Sequence, residues 1–233
     1  LHLRHVVTIA LLCGASLSFA QEKQENYREI FGKDYEKALA YLSKSTWIDS
    51  IARAHGLIPK EVKAVVFPEL IRFNSIQDKI ETFALETLYV QYGKTYANFS
   101  IGPFQVKPSF AENIEIDLLA VLGPQRTLQE YQLAANDTLS TENNRSKRVK
   151  RLKNPLYMTE YICAFFQRME KTYPSLRGRE KIRFFASAYN SDYRKSASEI
   201  RAFERKRFFQ TGLGNRPRYS YASIAVYYFN GQE

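Results

Sequence analysis

The sequence predicts an all-α globule with little or no β-sheet. Apolar residues recur at spacings of three and four through most of the chain, as the buried face of a helix with 3.6 residues per turn requires. Strict alternation of apolar and polar residues, the mark of a half-buried strand, is almost absent, and no internal repeat divides the chain. With 233 residues, 45% of them hydrophobic, the chain suffices for one domain of ordinary size, with or without appendages, and for a substantial core.

Residues 1–20, LHLRHVVTIALLCGASLSFA, place Arg4 ahead of an apolar run from Val6 to Leu12 and close on Ser18-Phe19-Ala20 before Gln21. That layout predicts a secretory signal peptide cleaved near Ala20, since the run is too short to span a bilayer. Leu12 before Cys13 disfavours lipid attachment at that cysteine. Residues 21–45 follow as an N-terminal helical extension, in which Tyr27, Ile30, Phe31, Tyr35, Ala38, Leu39 and Leu42 line one amphipathic helix. The main domain, 46–233, opens with Thr46 capping a short helix that stops at Gly56. Pro59 then occupies the first position of the next helix, PKEVKAVVFPELIRF. Further helices are expected at 76–91, 155–171, 180–189, 196–208 and 218–229. Two pieces lack a period, 93–109 and 137–154. The second carries the basic run RSKRVKRLK (Arg145–Lys153) after the polar DTLSTENNR, and is expected to be a solvated, mobile basic loop.

The formal charge of +10, from 34 Lys and Arg against 24 Asp and Glu, becomes +9 once Arg4 leaves with the leader, and calls for an acidic partner. For an exported protein that partner is an anionic cell envelope and not nucleic acid. Cleavage also removes Cys13, His2 and His5, leaving Cys163 and His55. One thiol cannot form an internal disulfide, one Cys and one His cannot build a metal cluster, and a Ser-His or Cys-His hydrolase has little to draw on. No metal or cofactor is expected. Cys163 stands in the apolar run 161–166 as an inert core thiol, and His55 before Gly56 reads as a capping or solvated helix-end residue.

One carboxylate breaks the pattern. Val62, Val65, Val66, Glu69 and Phe73 fall at i, i+3, i+4, i+7 and i+11, so Glu69 occupies the apolar stripe of its helix. Pro68 before it removes a backbone donor, and a kink or restart is expected there that aims Glu69 into a cleft. Burial raises a carboxyl's pKa because the charged form loses more hydration, and a Glu protonated near neutrality is a general acid. A bland alternative is a Glu paired with an Arg such as Arg72. The segment TYANFSIGPFQVKPSFAE (95–112) fits neither helix nor strand, being broken by Pro103 and Pro108; it is either a buried loop plugged by aromatics or a cleft wall that presents Gln105.

Together, VVFPELIRF around Glu69, SIGPFQVKPSFA (100–111), FFASAYNSDY (184–193) and RYSYASIAVYYF (218–229) resemble, in order, the motifs of the soluble lytic transglycosylase and goose-type lysozyme superfamily. The likeness extends roughly over 47–228. The chain departs from the family where Leu70 replaces the usual Ser after the catalytic Glu, where Gly102-Pro103-Phe104-Gln105 replaces Gly-Leu-Met-Gln, and where Ser191 and Asp192 follow Asn190. The resemblance implies a lysozyme-like helical fold acting on peptidoglycan glycan strands without cofactor. It implies Glu69 as the catalytic acid. Gly102 would let backbone approach the saccharide, Phe104 would offer an apolar face, and Gln105 and Ser100 would supply polar contacts. Tyr189 would direct its hydroxyl towards Glu69 or the sugar, Asn190 would hold the loop or an acetamido group, and Tyr221 belongs to the closing helix. The expected activity is periplasmic or envelope-associated lytic transglycosylation. Its alternatives are a hydrolytic lysozyme, for which Asp78, Glu81, Glu86, Glu112 and Asp192 could supply a second carboxylate, and a non-catalytic peptidoglycan-binding protein.

Overall fold

A computed structural model describes residues 25–75, 79–131, 141–211 and 217–231. Within them the chain is helical apart from one two-stranded sheet, which gives the all-α fold expected. The leader expected over 1–20 lies outside the described residues. No helix among the described residues is long and apolar enough to cross a membrane.

The periodic segment 27–42 is two helices, α1 (Tyr27–Phe31) and α2 (Lys33–Lys44), not one. Gly32 divides them at φ +48°, a left-handed conformation that costs glycine little. The turn lets Tyr27 and Phe31 reach the end of the chain, where Tyr27 meets Tyr227 edge-on at 5.4 Å and Phe31 meets Phe209 at 5.6 Å. α3 (Thr46–Ala54) and α4 (Pro59–Ser75) follow. At the end of α3, His55 is not solvated: its Nε2 lies 2.6 Å from the Glu160 carboxylate and its ring stacks on Tyr131.

α4 forms the centre of the molecule. Ala64, Val65, Val66, Phe67, Leu70 and Ile71 are all buried, because the helix is covered by α2, α3, α8 (Pro155–Thr172), α9 (Gly178–Ser191) and α11 (Tyr221–Asn230). Instead of restarting at Pro68, the helix runs through it. Tertiary packing on every side outweighs the one backbone hydrogen bond that proline deletes.

Two further helices were not foreseen. α6 (Pro108–Tyr131) begins inside the segment expected to be irregular, with Pro108 in its first turn. α7 (Glu142–Lys153) occupies most of the expected basic loop. Thr141 caps α7, its side chain accepting from the Asn144 N–H, and the helix is fixed by charge as well as by burial of Val149 and Leu152. Arg148 is buried and donates to Glu115 and to the Tyr89 hydroxyl at 2.7 Å; Arg151 donates to Glu115 at 2.7 Å and to the Tyr161 hydroxyl at 3.0 Å. Residues 137–140 lie outside the described residues. α5 (Lys79–Tyr92) packs on α7.

The expected helix 196–208 ends early. α10 (Ala197–Phe203), opened by a Ser196–Glu199 capping box, gives way to β1 (Arg207–Phe209), which pairs antiparallel with β2 (Tyr219–Ser220). Burial of Phe209 against Phe31 and Tyr221 favours the extended backbone there. The Ser220 side chain then caps α11, one of whose faces covers α4.

Candidate active site

Three pieces of chain converge on a cavity of about 240 Å³: the middle of α4, the loop and first turns before and within α6, and the C-terminal end of α9. The loop is held as a small hairpin. Ile101 and Val106 exchange backbone hydrogen bonds of 3.0 and 3.1 Å, and Gln105 closes the turn with its N–H on the Gly102 carbonyl at 3.0 Å. Gln105 adopts φ +52°, among the described residues the only left-handed non-glycine. Its Nε2 also donates to the Gly102 carbonyl at 2.8 Å. Asn98 ties the loop to α6 by accepting from the Ser109 N–H at 3.2 Å, and the Tyr189 hydroxyl ties it to α9 by donating to the Phe104 carbonyl at 2.7 Å.

Glu69 lies on the cavity wall with only 5% of its surface exposed. Its Oε2 is buried without a hydrogen-bond partner; the Arg72 Nη1 approaches to 3.2 Å, an ion-pair distance without hydrogen-bond alignment. Two effects therefore oppose each other. Loss of hydration favours the neutral acid, while the positive charges of Arg72 and Lys107 favour the carboxylate. Desolvation dominates and pushes the Glu69 carboxyl up to about 7. Such a group exchanges a proton with a ligand near neutral pH at small cost.

Of the residues singled out in the sequence, Glu69, Ser100, Gln105, Tyr189 and Asn190 share this wall. Three others do not. Phe104 is almost wholly buried and points its ring at Tyr41, so it offers the cavity no apolar face. Gly102 is needed for packing, since a Cβ on it would come within 2.3 Å of the Met158 methyl and 3.2 Å of the Leu152 carbonyl. Tyr221 is also buried, and its hydroxyl donates to the Val65 carbonyl at 2.9 Å, bracing the turn of α4 that carries Glu69. The Tyr189 hydroxyl donates to the Phe104 carbonyl and not to Glu69, although burial and the nearby Glu69 charge both raise the phenol's pKa.

Asn98 and Asn113 also line the cavity and were missed by sequence reasoning. Asn98 lies within the segment 95–112 but in no shared motif, and Asn113 lies on a helix the local pattern does not announce. Among the carboxylates considered for a second catalytic role, Asp192 alone of the described side chains joins Glu69 here. Glu86 is paired with Lys153 at 2.5 Å, and Glu112 accepts from Tyr89 at 2.8 Å and lies 2.9 Å from Lys94. Asp78 and the side chain of Glu81 lie outside the described residues. Among the described residues no group of three His, Cys, Asp or Glu side chains is arranged to hold a metal ion. The cavity can thus bind a polar ligand, move one proton at Glu69 and present a second carboxylate at Asp192. In comparisons with known proteins, no family model, no curated protein and no solved structure matches the chain.

Proposed function

We propose that the protein is an exported lytic transglycosylase that cleaves the β-1,4 bond between N-acetylmuramic acid and N-acetylglucosamine in peptidoglycan. The observation that carries this reading is Glu69, buried on a polar cavity with one carboxyl oxygen free of hydrogen bonds and its pKa pushed up to about 7 by desolvation against the nearby Arg72, with Ser100, Gln105, Tyr189 and Asn190 around it. Protonated Glu69 donates to the leaving glycosidic oxygen as the bond to the muramoyl anomeric carbon breaks. The resulting carboxylate then takes the proton of the C6 hydroxyl as that oxygen closes on the same carbon. One acid serves both transfers, and the intramolecular nucleophile gains the advantage of proximity. Water is not consumed, and the product ends in a 1,6-anhydromuramoyl residue. The basic surface favours an anionic envelope.

Asp192 supports a second reading, hydrolysis, in which it activates water or attacks as a nucleophile. Mass spectrometry of purified sacculi digested with the protein separates the two, since the anhydro end is lighter than the reducing end by about 18 Da, one water. Anhydro ends that persist in Asp192→Asn support the transglycosylase. Reducing ends that vanish with Asp192→Asn establish the hydrolase. Co-sedimentation with sacculi without release of soluble fragments, in wild type as in Glu69→Gln, leaves only a binding protein.

A further inference from the structure

Among the described residues, four buried side-chain polar atoms have no hydrogen-bond partner, and two of them, Glu69 Oε2 and Asn113 Oδ1, belong to residues that line the same cavity. Asn113 is 6% exposed. It shares a face of α6 with Ser109 and Phe110, which also line the cavity, whereas Glu112 and Glu115 turn away from it to Tyr89 and the arginines of α7. Among the described residues the other buried polar side chains of α6 have partners within the protein, while Asn113, on the cavity wall, has a carbonyl oxygen that is buried and unpaired. A buried acceptor left unpaired lowers stability, and a ligand that donates to it recovers the loss.

We infer that Asn113 anchors the sugar bound beside Glu69 by accepting a hydrogen bond from a ring hydroxyl or from the N–H of a 2-acetamido group. The inference rests on the saccharide reading of the cavity. A hydroxyl or an amide N–H supplies the proton that the Asn113 carbonyl lacks, whereas an ionised carboxylate could only accept from the NH2 of the same side chain. Asn113 is a positioning residue and takes no part in proton transfer.

Calorimetric titration of the full chain carrying Glu69→Gln tests this with chitotetraose and cellotetraose, which differ at each ring in the acetamido or hydroxyl group at C2. Adding Asn113→Leu should weaken binding about tenfold while leaving the melting temperature unchanged or higher, because an unpaired buried polar group is replaced by an apolar one of similar size. A residue that merely held the fold would lose stability instead. Asn113→Asp, which keeps an acceptor, should retain more affinity than Asn113→Leu. Loss confined to chitotetraose identifies the acetamido N–H as the donor, and equal loss for both sugars identifies a ring hydroxyl. Unchanged affinity in a folded Asn113→Leu protein overturns the role of Asn113 and leaves the saccharide reading standing. Absence of binding to either sugar before Asn113 is altered overturns both. Should Asn113→Leu fail to fold, Asn113→Ala removes the same acceptor without added bulk and carries the same expectations.

Discussion

Replacing Glu69 by Gln keeps the shape of the side chain and removes its titration, so the variant measures how far burial has moved the acid. The carboxyl is pushed from 4.5 up to about 7 by desolvation, against the opposing pull of Arg72 and Lys107. Below pH 4.5 the acid is protonated in both folded and unfolded chains, and its contribution to stability is fully present. As pH rises the unfolded chain ionises first while the folded chain still holds its proton, so stability drains away until the pH passes about 7. The displacement of the pKa from 4.5 to about 7 corresponds to about 3 kcal/mol. Glu69→Gln should therefore gain on the wild type by about 3 kcal/mol between pH 4 and pH 8, or roughly 6–12 °C in melting temperature for a domain of this size. Thermal and urea unfolding of both proteins at pH 4, 6 and 8 would show the widening gap. A constant gap across that range would refute the buried protonated acid. Activity runs the other way, falling about 10²–10⁴-fold or more in the variant.

Arg72→Met removes the cation 3.2 Å from Glu69 Oε2 and should move the alkaline limb of the pH–rate profile up by about one unit, since loss of an adjacent positive charge favours the neutral acid. An unmoved limb would show that Arg72 does not act on Glu69. Gly102→Ala combines a left-handed backbone at φ +66° with a Cβ 2.3 Å from Met158, and should cost about 2–4 kcal/mol in urea unfolding. Arg148→Met leaves Glu115 buried with one of its two arginines and should cost about 3–5 kcal/mol, most of it recovered when Glu115→Leu is added. A single-variant loss below about 1 kcal/mol would mean that α7 is held by something else.

What could be read from the sequence follows the range of the force that places each residue. Val62, Val65, Val66 and Glu69 sit on α4 at helical spacing and all four are buried; a local period sufficed, and the carboxylate among the valines announced itself. Phe73, assigned to the same stripe, is 40% exposed in the last turn of the helix. α7 has only Val149 and Leu152 as apolar residues, too few for a period. Its buried face adds Arg148 to these two, and the partners that make that burial tolerable, Glu115 and Tyr89, come from α6 and α5. A charge that is buried because a distant segment neutralises it looks, in sequence, like a charge in water. α6 was hidden for a related reason, since Gly123 and Pro124 within it argue locally against a helix.

The irregular loop shows why motif position and side-chain direction are separate questions. Phe104 and Gln105 are neighbours, yet one is buried in the core and the other lines the cavity. The left-handed backbone at Gln105 achieves this, re-aiming its side chain at a cost of about 1–2 kcal/mol for a residue other than glycine. That conformation persists because it is over-determined: the Ile101–Val106 pairing closes the turn, both amide groups of Gln105 bind the Gly102 carbonyl, and Tyr189 grips the carbonyl of Phe104. A glycine at 105 would relax the backbone and leave no side chain on the wall. The strained turn, the Glu69 carboxyl oxygen without a hydrogen bond and the unpaired carbonyl of Asn113 all belong to residues of one small cavity, whereas Arg148 and Lys181, buried elsewhere, are hydrogen-bonded to carboxylates. Unfavourable local choices gathered in this way stabilise nothing in the free protein. Under the proposed function they become favourable when a ligand donates to Asn113 and exchanges a proton with Glu69, as a polar sugar with a protonatable bridging oxygen would.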